Sequence, residues 1–228
     1  MSKLNIAADP KHVKEIITDY EKLSERADEF NLEKGNKEAQ EIILALKNTI
    51  RSLGDTVTGL SANQIGYDKR IICLNFNGEI KTFINPILTN VKGLEMSRET
   101  CHSEPGKTYL RPRNNVIDVT YQTPLGGIES TQLVGLAAKV MQHHIDHLDG
   151  ILLSDIGLEV TEEFDNASED ERREVINYYL DSLDLMSKDI EVAIDNDPEA
   201  QKMKEAVEFM ESVRKGETVL EDIHDSLS

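Results

Sequence analysis

The chain has 228 residues and a formal net charge of −18, with 39% hydrophobic and 30% charged residues. This length suffices for one sizeable core, or for one core plus an appendage, and no apolar run approaches the roughly 20 residues that a membrane span needs. The N-terminus has no signal-peptide core and two cysteines do not indicate a disulfide framework, so we expect a soluble, cytoplasmic protein with reduced thiols.

The first part of the chain is predicted to form two helices. Apolar residues at helical spacing, with a proline at the first helical position, predict one helix over Pro10–Leu23. The breaker pair Gly35-Asn36 follows. After it, the apolar positions of Ile42–Leu53 predict a second, amphipathic helix that ends at Gly54.

From residue 56 the pattern changes to strands. Arg70–Phe76 and Lys81–Ile84 are predicted strands around the turn Asn77-Gly78, which is a strong hairpin signal. Val116–Gln122 is another predicted strand. Leu133–Leu148 then predicts a long, largely buried helix because its apolar residues recur at helical spacing. We therefore predict an α+β body that extends to about residue 155.

The acidity of the chain belongs to its C-terminal third. Residues 155–228 contain 23 acidic and 7 basic side chains, so no nucleic acid is expected as a partner, since phosphate binding depends on Lys and Arg. A capping box at Ser168–Glu171 predicts a helix to about Met186, and Asp197-Pro198 predicts another that carries an apolar stripe over Met203–Val213. We interpret residues 156–228 as an acidic helical extension, either a solvated face or a surface for a basic protein partner.

Three of the six histidines lie within five residues of the predicted long helix. His143 and His147 share one helical face and can bind one ion, although such a pair alone is more typical of a surface or a core. A third ligand must come from elsewhere, and Cys101 is the best candidate. One thiolate and two imidazoles suit Fe²⁺, Zn²⁺, Ni²⁺ or Co²⁺ and leave a coordination position open, as a catalytic site requires.

Three segments, in this order, resemble the signature motifs of the peptide deformylase family. The segment Gly59–Gly66 is similar to its glycine-rich motif, Glu99–Ser103 to its E-G-C-L-S motif, and Gln142–Gly150 to its Q-H-E-x-D-H-L-x-G motif. Ile84-Asn85-Pro86 and Leu110–Arg113 also stand where that family has I-N-P and P-R. The resemblance runs from about Asp55 to Gly157. It implies an α+β body of antiparallel strands around a long metal-binding helix, over residues 1–155.

The resemblance also implies a metal-dependent hydrolase that removes the formyl group from N-formylmethionyl peptides. Its metal would be Fe²⁺, with Zn²⁺ or Ni²⁺ as substitutes, and its nucleophile would be a water whose pKa the metal lowers. Each implied role belongs to a position that matches a family motif: metal ligands Cys101, His143 and His147; oxyanion donors Gln64 and the backbone N–H of His102; close substrate approach at Gly59; and supporting contacts from Glu99, Arg113 and Asp146.

His144 is the main departure from the family pattern, since it occupies the position of the glutamate that transfers protons during catalysis. Loss of a general acid or base costs about 10²- to 10⁴-fold in rate. Three interpretations follow: His144 replaces the glutamate as a base, it becomes a fourth ligand and closes the site, or it marks an inactive centre. Smaller departures occur at Val57, Thr100, His102 and Thr108.

Two functional hypotheses follow from the retained ligands and the altered position. The first is an active deformylase of weakened or altered activity. The second is a non-catalytic module with the deformylase fold, which uses the acidic helices as an interface in a larger, for instance viral, assembly. Bacterial deformylases are thought to dock on the ribosome through a basic C-terminal helix. The acidic extension should be repelled by ribosomal RNA, so this docking is not expected here.

Overall fold

The computed structural model describes residues 7–54, 56–76 and 78–194. Its strands are β1 (Gly59–Ser61), β2 (Ile71–Phe76), β3 (Glu79–Cys101), β4 (Glu104–Gln122), β5 (Ile128–Val134) and β6 (Leu158–Glu159). Its α-helices are α1 (Tyr20–Leu23), α2 (Leu32–Leu53), α3 (Leu136–Leu148), α4 (Leu153–Ile156), α5 (Glu162–Asn166) and α6 (Glu169–Ile194).

The strands form one antiparallel sheet in the order β1-β2-β3-β4-β5, and β6 pairs with β4. The predicted hairpin at Gly78 joins β2 to β3. The two longest strands, β3 and β4, form a second hairpin in which Cys101 pairs with Glu104 across the turn residues His102 and Ser103. The predicted α+β class is confirmed. The chain reverses direction directly after Cys101, the candidate thiol ligand.

Residues 71–74 of strand β2 are covered on both faces, which explains their uninterrupted apolar sequence. Successive side chains of a strand point to opposite faces. Ile71 and Cys73 accordingly belong to the core beneath α2, whereas Ile72 and Leu74 belong to the core beneath α3. The sheet therefore holds α3, the helix with the histidines, against the buried residues 71–74 of β2.

The predicted helix over Pro10–Leu23 is wrong. Only a short 3₁₀ turn at its start and α1 at its end are helical. Between them the backbone is bound by other segments, because Lys14 N–H donates to Thr49 Oγ1 (3.0 Å) and Ile17 N–H donates to the Gln64 carbonyl (2.8 Å). Helical spacing of apolar residues does not distinguish a helix from an extended segment that is fixed by such contacts.

Two predicted boundaries also differ from the structure. Helix α2 begins at Leu32 and continues through Gly35-Asn36, so the breaker pair does not separate the helices. Leu133 lies in β5, and α3 begins at Leu136 after Gly135, whose φ is +63°. The predicted ends of α2 and α3, at Leu53 and Leu148, are confirmed.

The chain divides into two compact units between Asn166 and Ala167. In the second unit, the Glu171 carboxylate accepts from Ser168 N–H (2.8 Å), and Glu171 N–H donates to Ser168 Oγ (3.3 Å). The predicted capping box at the start of α6 is thus confirmed, although the helix extends to Ile194. The predicted helix at Asp197-Pro198 and its apolar stripe lie outside the described residues. Within the described part, no helix is long and apolar enough to cross a membrane.

Gly150, directly after α3, is predicted to be essential for stability. Its φ is +74°, and a Cβ there would overlap the backbone carbonyl of Ser24. We expect Gly150→Ala to lower the free energy of unfolding by about 3 kcal/mol, through left-handed backbone strain plus overpacking. Gly106→Ala is the matched control in urea denaturation, because its φ is +79° with no atom within 4 Å. Equal losses in the two variants would contradict the packing argument.

Candidate metal centre

Helix α3 and the β3–β4 turn bring the three predicted ligands together. His143 and His147 lie one helical turn apart on α3, and Cys101 ends β3. Cys101 Sγ is 3.1 Å from His147 Nε2, and one donor atom from each of the three residues lies within 4.8 Å of the others. All three side chains are buried, so the cluster could hold a metal ion.

The donor set fits a divalent metal that accepts sulfur and nitrogen ligands. Donors that share a tetrahedral zinc lie roughly 3.6 Å apart, given Zn–S near 2.3 Å and Zn–N near 2.1 Å. The 3.1 Å separation in the structure is close to that value. His143 Nδ1 contacts Glu99 Oε2 at 3.1 Å, which leaves Nε2 of His143 to face the cluster. The thiol and the two imidazoles therefore form a donor set that could hold such an ion.

Gln64 points its amide nitrogen at this cluster. Its Oε1 accepts from the N–H and the hydroxyl of Ser61, both at 3.1 Å. Its Nε2 therefore faces Cys101 Sγ at 3.5 Å and Ser103 Oγ at 3.2 Å. The 3₁₀ turn Ala62–Ile65, which follows β1, carries this side chain. The amide is thus a fixed donor directed at the thiol.

A buried network of ion pairs contacts the cluster through His143. Arg113 binds Glu99 with two parallel hydrogen bonds (2.8 and 2.9 Å) and also binds Asp146 (2.5 Å). Burial alone would raise the pKa of Glu99, but hydrogen bonds from Arg113 and His143 outweigh it and hold that pKa well below its ordinary value. Burial likewise opposes the charge of Arg113, whose pKa is nevertheless raised by Glu99 and Asp146. The three predicted supporting residues therefore form one network around the ligand His143.

Arg111 is a member of this network that sequence reasoning missed. Its guanidinium lies 3.2 Å from Asp146 Oδ2, so two arginines bind the same carboxylate of α3. Arg111 and Arg113 are alternate residues of β4 and share one face. This spacing was the available signal, since two cations on one strand face indicate an acidic partner opposite.

His144 borders the cavity but does not belong to the ligand group. Its side chain is 4% exposed, and it lines a cavity of about 270 Å³ together with Gly59, Gln64, Cys101 and His143. The metal-competent group found among the described residues contains Cys101, His143 and His147 without His144. The fourth-ligand interpretation is not what the structure shows, because adjacent residues diverge by about 100° around a helix.

The imidazoles differ in their pKa values. Burial lowers the pKa of His144 well below its ordinary value, and the neighbouring charges of His143, His147 and Arg113 add to the shift. His147 is shifted in the same direction, first by burial and then by His143 and Arg113. For His143, contacts with Cys101 and Glu99 outweigh burial and raise the pKa to about 9. A proton and a metal would therefore compete for His143.

Gly59 and His102 both line the cavity. A Cβ on Gly59 would lie 2.7 Å from Leu74 Cδ2 and 2.8 Å from His144 Nε2, so no larger residue fits unless its neighbours shift. His102 is exposed at the tip of the β3–β4 turn. The structure thus places every predicted site residue in the group of three candidate ligands, at the cavity, or in the adjoining ion network.

Comparisons with known proteins agree with this geometry. The sequence model of the family described as polypeptide deformylase matches residues 13–160. The chain is 33% identical over 128 residues to the peptide deformylase of Dictyoglomus turgidum, an alignment that covers 54% of this chain and 84% of the relative. It is 39% identical over 94 residues to that of Pelotomaculum thermopropionicum, covering 41% and 61%.

Solved structures show the same similarity. The crystal structure of peptide deformylase from Thermotoga maritima superposes with a TM-score of 0.59 at 28% identity, covering 63% of this chain and 97% of that one. A probable peptide deformylase from Synechococcus phage S-SSM7 gives a TM-score of 0.56 at 31% identity, covering 62% and 98%. The residues that match the family model, 13–160, lie within the first compact unit, and that unit contains the whole candidate site.

Proposed function

The chain belongs to the peptide deformylase family, and from this premise we propose that it is a metal-dependent hydrolase that removes the formyl group from N-formylmethionyl peptides. The observation that carries the proposal is the buried group of Cys101, His143 and His147, which borders an open cavity beside the amide of Gln64. A non-catalytic module would have no need for this set of metal donors next to a cavity.

Cys101, His143 and His147 would hold the metal, with Fe²⁺ as the proposed ion and Zn²⁺ or Ni²⁺ as substitutes. When bound, such an ion polarises a carbonyl and lowers the pKa of a water. The chain's own residues do the rest. The Gln64 amide, held by Ser61, and the backbone N–H of His102 are proposed to donate hydrogen bonds to the oxyanion that forms from the formyl carbonyl.

The cavity supplies the proposed binding site for the first side chain of the substrate. Its apolar lining includes Val57, Leu60, Leu136 and Val140, which suits an unbranched apolar side chain such as methionine. Glu99 fixes the ring of His143 through Nδ1. His144 borders the same cavity, and its Nδ1 is buried without a hydrogen-bond partner in the described part of the chain. We propose that its imidazole moves the proton that the leaving amine requires.

The proposal is tested by anaerobic purification, metal analysis and a formate-release assay with a formyl-methionyl tripeptide. We expect one metal per chain and a slow, measurable release of formate. Chelation should remove both, and re-addition of Fe²⁺ should restore both, because the proposed role of the ion held by the three ligands is to activate the water. A fully loaded protein that releases no formate above a chelated blank would overturn the proposal.

His144 also favours a second candidate, a non-catalytic deformylase-fold module that binds a protein partner through its acidic extension, for example in a viral assembly. The replacement of a carboxylate by an imidazole at the proton-transfer position is the observation behind it. This candidate predicts bound metal without turnover and binding of a basic protein by residues 156–228. The assay above therefore separates the two candidates. A cytoplasmic location is proposed for either.

A further inference from the structure

Two polar residues of the first motif connect the donor Gln64 to the metal helix. Asn63 Nδ2 donates to the backbone carbonyl of His147 at 2.5 Å. The hydroxyl of Ser61 lies within hydrogen-bond distance of Asn63 Oδ1 (2.9 Å) and Gln64 Oε1 (3.1 Å). Ser61 is fully buried and Asn63 is 9% exposed. One continuous hydrogen-bond chain therefore runs from Gln64 through Ser61 and Asn63 to a predicted metal ligand.

We propose that Asn63 and Ser61 are positioning residues that fix the Gln64 amide and the ligand His147 relative to each other. The inference rests on the proposed metal site, but it concerns residues to which neither the family resemblance nor the ion network assigns a role. Of Ser61, Asn63 and Gln64, it is Asn63 that donates a hydrogen bond to α3.

The carbonyl that Asn63 binds lies at the C-terminal end of α3, where helix carbonyls need partners from outside the helix. The last four carbonyls of a helix have no partner within the helix, and His147 lies in the last turn of α3, where Gly150 N–H also reaches its carbonyl at 3.2 Å. A buried amide donor on this carbonyl therefore fixes the end of the helix that carries the ligand. Glu99 holds the other ligand, His143, at its ring. Each histidine ligand thus has its own anchor, one at the backbone and one at the side chain.

Ser61 and the His147 carbonyl together determine how the side-chain amides of Gln64 and Asn63 are oriented. The hydroxyl and N–H of Ser61 occupy Gln64 Oε1, so the Gln64 nitrogen must point toward Cys101. The single hydroxyl hydrogen is shared with Asn63 Oδ1, and the His147 carbonyl, which can only accept, requires the Asn63 nitrogen to point toward α3. A rotated Asn63 would place its oxygen against the His147 carbonyl, and a rotated Gln64 would place its nitrogen against the Ser61 N–H, so either change leaves buried groups unsatisfied. The Gln64 amide therefore directs its donor toward the Cys101 thiol, and the Asn63 amide directs its donor toward the end of α3.

Asn63→Asp tests the proposal, because it preserves size and the acceptor for Ser61 but removes the donor to His147. Affinity for Zn²⁺ is measured by chelator competition on the full chain, and the visible spectrum of the Co²⁺-loaded protein reports the thiolate and imidazole geometry. We expect Zn²⁺ to bind about 10- to 100-fold more weakly, as for other residues that support metal ligands, with a shifted Co²⁺ spectrum. Ser61→Ala, which removes one hydroxyl, should weaken Zn²⁺ binding by about three- to tenfold.

Asn48→Asp is the matched control. Asn48 is 3% exposed, and its Nδ2 donates to the Leu44 carbonyl at 2.8 Å within α2, so it loses the same kind of bond away from the ligands. Its Zn²⁺ affinity should stay within about twofold of the parent. Parental affinity and spectrum in Asn63→Asp, or losses equal to those of Asn48→Asp, would overturn the proposal. If Asn63→Asp does not fold, the Ser61→Ala affinity decides. A parent that binds Zn²⁺ without releasing formate would overturn the proposed hydrolysis alone, since these readouts need no turnover.

Discussion

Replacement of His144 by glutamate is expected to raise kcat for a formyl-methionyl peptide by about 10²- to 10⁴-fold, the usual contribution of a well-matched general acid or base. A carboxylate beside a divalent cation becomes neutral when it takes up a proton, whereas an imidazole that takes up a proton becomes a second cation and is repelled. Position 144 borders the cavity next to the ligand His143. Position 144 is therefore expected to be well placed for a general base, while the imidazole of His144 is poorly suited to that role.

The geometry accommodates this substitution. His144 Nε2 packs close to Gly59, since a Cβ there would lie 2.8 Å away, and glutamate is the smaller side chain, so no overpacking results. His144→Gln is the control, because it has the shape of glutamate but cannot transfer the proton. Both variants and the parent are compared at equal metal content by formate release. A His144→Glu rate no higher than that of His144→Gln would refute the assignment of this position to proton transfer.

The candidate ligands that the structure brings together could be identified from the sequence because their spacing and motifs are local. His143 and His147 share a helical face through a fixed four-residue interval, and the residues around Cys101 match a known motif. The connecting contacts were less accessible. That Asn63 donates to the carbonyl of His147 depends on how the first motif packs against α3, and no spacing within either segment contains that information.

The error at the N-terminus has a related cause. Val13, Ile16 and Ile17 have helical spacing, yet this stretch is extended, and its backbone donates to Thr49 and to the carbonyl of Gln64. Backbone groups must be paired somewhere when buried, and here their hydrogen-bond partners belong to other segments of the chain rather than to a helix. A segment that looked like an independent helix therefore supports the turn that carries Gln64.

Arg113→Met is expected to lower the free energy of unfolding by about 3–5 kcal/mol, because it removes the guanidinium that binds the buried Glu99 carboxylate and one of the two guanidinium groups that bind Asp146. The side chains of Arg113 and Glu99 are 3% and 10% exposed, so water cannot replace the lost guanidinium. Arg111 still contacts Asp146, but the structure gives Glu99 no second arginine contact among the described residues. The measurement is urea denaturation of the metal-free protein, which separates this loss from any change in metal binding.

Two further variants show whether burial and geometry cause the effect. Arg98 also binds a carboxylate with two hydrogen bonds, to Asp165 at 3.0 and 2.9 Å, but that pair is exposed. Arg98→Met should therefore change stability little, as solvent screens such pairs. Arg113→Lys keeps the charge but loses the planar fork that spans both oxygens of Glu99, so its stability should fall between those of the parent and Arg113→Met. If Arg113→Met were no less stable than Arg98→Met, Arg113 would not hold the buried carboxylates, and the orientation of His143 by Glu99 would need another cause.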